Sequence, residues 1–93
     1  MIYNIRITEK AENDIESIYK YISEEFQAEE IAKNTIKNII ECIETLSSFP
    51  LRCPAFRLDH RYRVLFAGSY NIIFEIDMDT VNIVGVLPSI IIH

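Results

Sequence analysis

The apolar residues of this chain recur at a helical spacing from Ala11 to Leu46 and at a spacing of two from Arg61 onward. A chain whose period changes in this way about half way must pack helices against a sheet built largely from its second half. Ala11, Ile15, Ile18 and Ile22 form one helical stripe, widened by Tyr19. Ala32, Ile36, Ile39, Ile43 and Leu46 form a second, broadened by Ile31 and Ile40. The first pattern fades between Glu24 and Gln27, leaving a link of only a few residues, so the two helices are expected as an antiparallel hairpin. Thr8, followed by Glu9 and Glu12, reads as an N-cap with acids at the positive end of the helix dipole. Ser47-Ser48-Phe49-Pro50 closes the second helix, because the proline ring drives Phe49 out of the helical region.

Residues 2–7 alternate, with Tyr3, Ile5 and Ile7 on one side and Asn4 and Arg6 on the other, which predicts a strand. Residues 50–60 carry Pro50 and Pro54 and read as an ordered loop. Three further strands are expected, Arg61 to Phe66, Tyr70 to Ile76 and Val81 to Leu87, separated by two short turn segments and therefore forming an antiparallel meander. Tyr70, Ile72, Phe74 and Ile76 share an apolar face, with Ile73 opposite them beside Asn71, Glu75 and Asp77. The expected order is β-α-α-β-β-β in one domain spanning residues 1–93, an α+β fold with the helical hairpin covering one face of a small antiparallel sheet.

Charge narrows the functional classes. The formal net charge is -5, and residues 1–50, with ten acids and five bases, carry all of it. Residues 51–63 hold Arg52, Arg57, Arg61 and Arg63 against the single acid Asp59. An acidic protein is a poor nonspecific binder of nucleic acid, because phosphate neutralisation supplies most of that affinity. A local arginine cluster can still hold one phosphate or carboxylate. The start lacks a basic segment followed by an apolar one, and the most apolar stretch, Ile83 to Ile92, is broken by Gly85, Pro88 and Ser89 where a span needs about 20 residues. The expectation is a cytoplasmic protein with no membrane contact, whose Cys42 and Cys53 are free thiols. Glu24-Glu25 and Glu29-Glu30 lack ligand spacing and no glycine-rich phosphate loop is present, so no metal or cofactor is expected.

Order and local strings together resemble the RelE/ParE superfamily of toxins from type II toxin–antitoxin pairs, over nearly the whole chain. Tyr3-x-Ile5-x-x-Thr8-x-x-Ala11-x-x-Asp14-Ile15-x-x-Ile18-x-x-Tyr21-Ile22 resembles the family's opening strand and first helix, and Leu46-x-x-Phe49-Pro50 the end of its second helix. Arg63-Val64-Leu65, Tyr70-Asn71-Ile72-Ile73-Phe74-Glu75-Ile76 and Val81-x-Ile83-x-x-Val86-Leu87 resemble its sheet. The resemblance implies a growth-inhibiting toxin neutralised by a cognate antitoxin protein, whose amphipathic segment would pack on the helices. ParE-like members are described as inhibitors of DNA gyrase; RelE-like members cut messenger RNA on the ribosome.

Within that resemblance Arg63 falls on the family's arginine position in the strand after the loop, and Arg61, two residues away, is expected on the same side, so that the pair grips one phosphate or contacts the target, with Arg57 beside them. His60 at the loop end and terminal His93 read as surface histidines, Tyr70 as core, and Tyr62 as facing the helices. The C-terminus departs from the family, since Gly85 stands near its usual arginine and Pro88 where its histidine often falls, with no ionisable side chain from Asn82 to Ile92. RNA cleavage needs a base for the 2′-hydroxyl, a donor to the leaving oxygen and cations for the phosphate. The missing groups and the acidic balance favour a ParE-like toxin. The alternatives are a RelE-like ribosome-dependent endoribonuclease and a degenerate member that only binds protein. The apolar tail 89–93 is compatible with an antitoxin contact or a homodimer.

Overall fold

A computed structural model describes residues 2–89; the expectations for His93 and for the tail beyond Ser89 lie outside the described residues. The chain runs β1 (Asn4–Ile7), α1 (Glu9–Lys20), α2 (Glu29–Glu44), β2 (Arg63–Ala67), β3 (Tyr70–Asp77) and β4 (Thr80–Pro88). Thr8 caps α1 as its position predicts, its Oγ1 accepting the Ala11 N–H at 3.3 Å. The same hydroxyl donates to the Ile83 carbonyl at 2.7 Å, so the cap also ties the helix start to β4. Beyond Lys20 the helix widens into a π turn over Tyr21–Glu25, where the apolar pattern fades, and Gln27 at φ 48° turns the chain into α2.

The sheet order is β1-β4-β3-β2. The three later strands form the expected antiparallel meander, but β1 lies parallel to β4, Ile5 opposite Val81 and Ile7 opposite Ile83, so the sheet is mixed. Alternation along β1 fixes which side chains face inward and carries no information about which strand lies alongside or in which direction. β2 begins at Arg63 rather than Arg61, because residues 59–62 are taken up by a turn in which the Asp59 carbonyl accepts the Tyr62 N–H at 3.1 Å.

The main core lies between the helices and one sheet face. Ala11, Ile18, Ile39, Ile43 and Leu46 meet Ile72, Phe74, Val81, Ile83 and Val86 there, with Tyr70 packed at its margin. Ile40 joins this core at its edge, whereas Ile31 is 61% exposed and does not extend the buried stripe. On the opposite face the loop 53–62 folds back over the sheet and buries Phe56 against Val64 and Ile73. Tyr62 packs in this second cluster, away from the helices, which corrects the expected assignment: it shares its side with Val64.

β4 contains a bulge. The register steps between Ile73↔Gly85 and Phe74↔Ile83, leaving Val84 as the extra residue. The step exchanges faces along the strand: Val81 and Ile83 look toward the helices, Val84 looks away, and Val86 again looks toward them.

Candidate functional site

The candidate arginines are carried by the chain between α2 and β2, and two strained or tightly bonded turns set their positions. α2 ends in a 3-10 turn, Thr45–Ser47, and Phe49 then adopts a left-handed conformation, φ 48° and ψ 58°, before a second 3-10 turn at Pro50–Arg52. The residue before a proline is expected to be extended, and a left-handed conformation costs an L-residue roughly 1–2 kcal/mol. It is maintained by bonds from Arg52, whose Nη1 donates to the carbonyls of Ser48 at 2.7 Å and Phe49 at 3.1 Å, while its Nη2 donates to Thr45 Oγ1 at 3.0 Å.

Arg63 is half-buried at the first position of β2, on the parity of Leu65 and so on the helix side of the sheet. Its Nη1 donates to the Cys53 carbonyl at 2.7 Å and reaches the Leu51 carbonyl at 3.5 Å. Arg52 and Arg63 therefore hold successive stretches of one loop, and every oxygen they bind is uncharged. Burial pushes the Cys53 thiol above its ordinary range, opposed by the nearby positive charges of Arg52 and Arg63.

Arg61 is fully engaged elsewhere. Its backbone N–H and its Nε donate to Asp59 Oδ1 at 3.1 and 3.0 Å, and its Nη2 donates to Oδ2 at 2.6 Å. The guanidinium also lies 5.5 Å from the centre of the Tyr62 ring, within cation–π range. These bonds hold the Asp59 carboxyl down at about 2 and raise the Arg61 guanidinium above its ordinary value. The expected two-arginine grip thus takes a different form here. Arg61 and Arg63 are held by separate partners within the chain, and Arg57 lies on the exposed loop before them. His60 is exposed in the same turn.

A second arrangement was not anticipated. Gly85 lies on β4 where an added Cβ would stand 3.3 Å from Asp14 Oδ2 and 3.5 Å from Lys10 Nζ. Asp14 reaches across from α1 and accepts the Val86 N–H at 3.0 Å while pairing with Lys10 at 2.7 Å. The space above Gly85 is thereby occupied by an internal ion pair. A hint was legible in the spacing: Asp14 falls three residues after Ala11 and four before Ile18, on the apolar stripe itself, where a carboxylate needs a donor. Among the described residues no group of three His, Cys, Asp or Glu side chains is arranged to hold a metal ion.

Comparison with known proteins places this geometry. The family model for the ParE toxin of the type II toxin–antitoxin system parDE matches residues 5–89. Among solved structures, a chain of the chromosomal ParDE toxin–antitoxin system from P. aeruginosa superposes with a TM-score of 0.80 at 19% identity, covering 94% of this chain and 96% of that one. A chain of the RelBE2 toxin–antitoxin complex from Mycobacterium tuberculosis superposes with a TM-score of 0.70 at 22% identity, covering 95% and 99%. At these identities the two structures speak for the fold. A comparison with curated protein sequences gives no match.

Proposed function

The chain belongs to the ParE family of toxins of type II toxin–antitoxin systems, and on that premise we propose that it inhibits growth in the cytoplasm by binding a protein target, DNA gyrase, and is neutralised by a cognate antitoxin. The observation that carries this reading is the filled space above Gly85. The family resemblance puts an RNA-cleaving arginine near this position, and here the Lys10–Asp14 pair stands over it. An arginine there would have to displace the carboxylate that satisfies the Val86 N–H. The bonds already made by Arg61 and Arg63 support the same reading, since a cation that stabilises a scissile phosphate must be free to turn toward it.

No helix among the described residues is long and apolar enough to cross a membrane, which is compatible with action in the cytoplasm. The antitoxin reading draws on the two structural relatives, both of which come from toxin–antitoxin systems.

The test is induction of the protein alone in bacteria, with labelled amino acid and labelled thymidine followed over the first minutes. Early loss of thymidine incorporation, with translation intact and growth restored by the antitoxin, is the expected result. Early loss of amino-acid incorporation would replace the gyrase reading with messenger RNA cleavage. Normal incorporation of both labels would leave a protein-binding module.

A further inference from the structure

Phe49, Leu51 and Ile2 are 66%, 51% and 76% exposed, and an antiparallel bridge from Ile2 to Ser48 brings the first residues of the chain beside the turn that carries the other two. Phe49 and Leu51 flank Pro50. Isolated exposed apolar residues need no explanation, but Phe49 sits on backbone that the protein holds under strain. Phe49 is left-handed before a proline, a conformation that persists only where the surroundings over-determine it. The surroundings here are the guanidinium groups of Arg52 and Arg63, spread over the oxygens of Thr45, Ser48, Phe49, Leu51 and Cys53. Two arginines thus fix a turn whose own apolar side chains face water.

We propose that Phe49, Leu51 and Ile2 form a pre-organised knob that inserts into the target protein. This rests on the reading of the chain as an inhibitor of a protein target. The same arginines indicate the chemistry of the surface that receives it. Among the described residues neither Arg52 nor Arg63 is ion-paired, because their bonds go to neutral oxygens. Neither is offset by a carboxylate of the described residues within ion-pair distance, while most of the acids lie in the first half of the chain, along and between the two helices. The complementary partner is a protein cleft with an apolar floor and a carboxylate rim. Leu51 and Ile2 are aliphatic and suit such a floor, with the Phe49 ring as its aromatic anchor. Holding the turn rigid before contact removes ordering cost from the binding step.

Phe49→Gly separates recognition from folding. Glycine adopts a positive φ without steric cost, so this variant should melt at or above the temperature of the parent protein. It also removes the ring, so it should inhibit purified DNA gyrase at least about ten-fold less well, as expected when an interface anchor is lost. Leu51→Ser should weaken inhibition in the same direction, and both variants should remain folded by circular dichroism. Inhibition by Phe49→Gly within two-fold of the parent, about 0.4 kcal/mol, would overturn the knob and leave the gyrase reading standing. Failure of the parent protein itself to inhibit gyrase would overturn both. Messenger RNA cleavage retained by Phe49→Gly would assign recognition to nucleic acid and would likewise overturn the proposal.

Discussion

The carboxylate of Asp14 accepts the backbone N–H of Val86 at 3.0 Å, joining the middle of α1 to the bulged half of β4. β1 pairs with β4 only as far as Ile83, so the next stretch of β4 has no strand on that side. Val86 is nearly inaccessible to water, and its N–H depends on this side chain. Asp14→Ala should therefore destabilise the protein by about 1–3 kcal/mol, the cost of leaving a buried donor unpaired. At this chain length that lowers the melting temperature by about 4–20 °C. Asp14→Asn keeps an acceptor oxygen and loses mainly an exposed pairing with Lys10, so it should fall much closer to the parent in urea denaturation.

Gly85→Arg restores the side chain that the family resemblance places near this point. The new Cβ would crowd the Asp14 carboxylate, and the Lys10 and Asp14 side chains would have to move. The expected cost is about 1–3 kcal/mol, in line with overpacked sites. Added to ribosomes and a reporter message, the variant should produce no cleavage above the parent, because Pro88 still stands where the family resemblance places a histidine. New cuts in that assay would show that position 85 alone separates the two activities.

Asp59 should keep its charge and its bonds to Arg61 over the neutral range. The Asp59 carboxyl is held down at about 2 from an ordinary 3.8, chiefly by the side-chain and backbone bonds from Arg61. A lowered carboxyl pKa contributes stability that is present above the ordinary value and is lost as pH falls through the lowered one. Carbon-detected NMR should place the Asp59 midpoint near 2, with the turn loosening between about pH 4 and pH 2. Arg61→Ala should return Asp59 to the ordinary carboxylate range.

The two thiols should react at different rates. Cys42 is half-buried, whereas Cys53 is 4% exposed and its thiol is shifted upward by burial. Since the thiolate is the nucleophile, alkylation at mildly alkaline pH should modify Cys42 first. Peptide mapping after partial reaction should find Cys53 largely unmodified until the protein is denatured.

How far the sequence could be read depended on the range of the interaction that decided each feature. Both helix stripes, the Thr8 cap and the meander follow from contacts between near neighbours, and they stand where periodicity puts them. The parallel pairing of β1 with β4 and the bulge at Val84 depend on partners far along the chain, and alternation is blind to both. Periodicity sets Tyr62 on the helix side, whereas it packs under loop 53–62, because the covering of the second sheet face by that loop has no periodic signature. At the candidate site the arginines were visible as residue types. The oxygens that hold Arg61 and Arg63 became visible only with the loop in place, since a turn rich in prolines has no repeat from which to infer it.

The pairing of β1 with β4 also sets a timetable for folding. Asn4 lies against Thr80, so the first strand has no neighbour in the sheet until synthesis has passed the last turn. Chains are made from the N-terminus at about 5–20 residues per second, and long-range pairings form slowly even once both partners exist. A nascent chain interrupted before Thr80 has the β2–β3 hairpin but lacks the strand that joins it to β1, so the N-terminal strand has no edge to join. On this account incomplete translation products are inert and open to proteolysis. Under the proposed function, growth inhibition would begin only after β4 has been made, which leaves an inhibitor made alongside an interval in which to act.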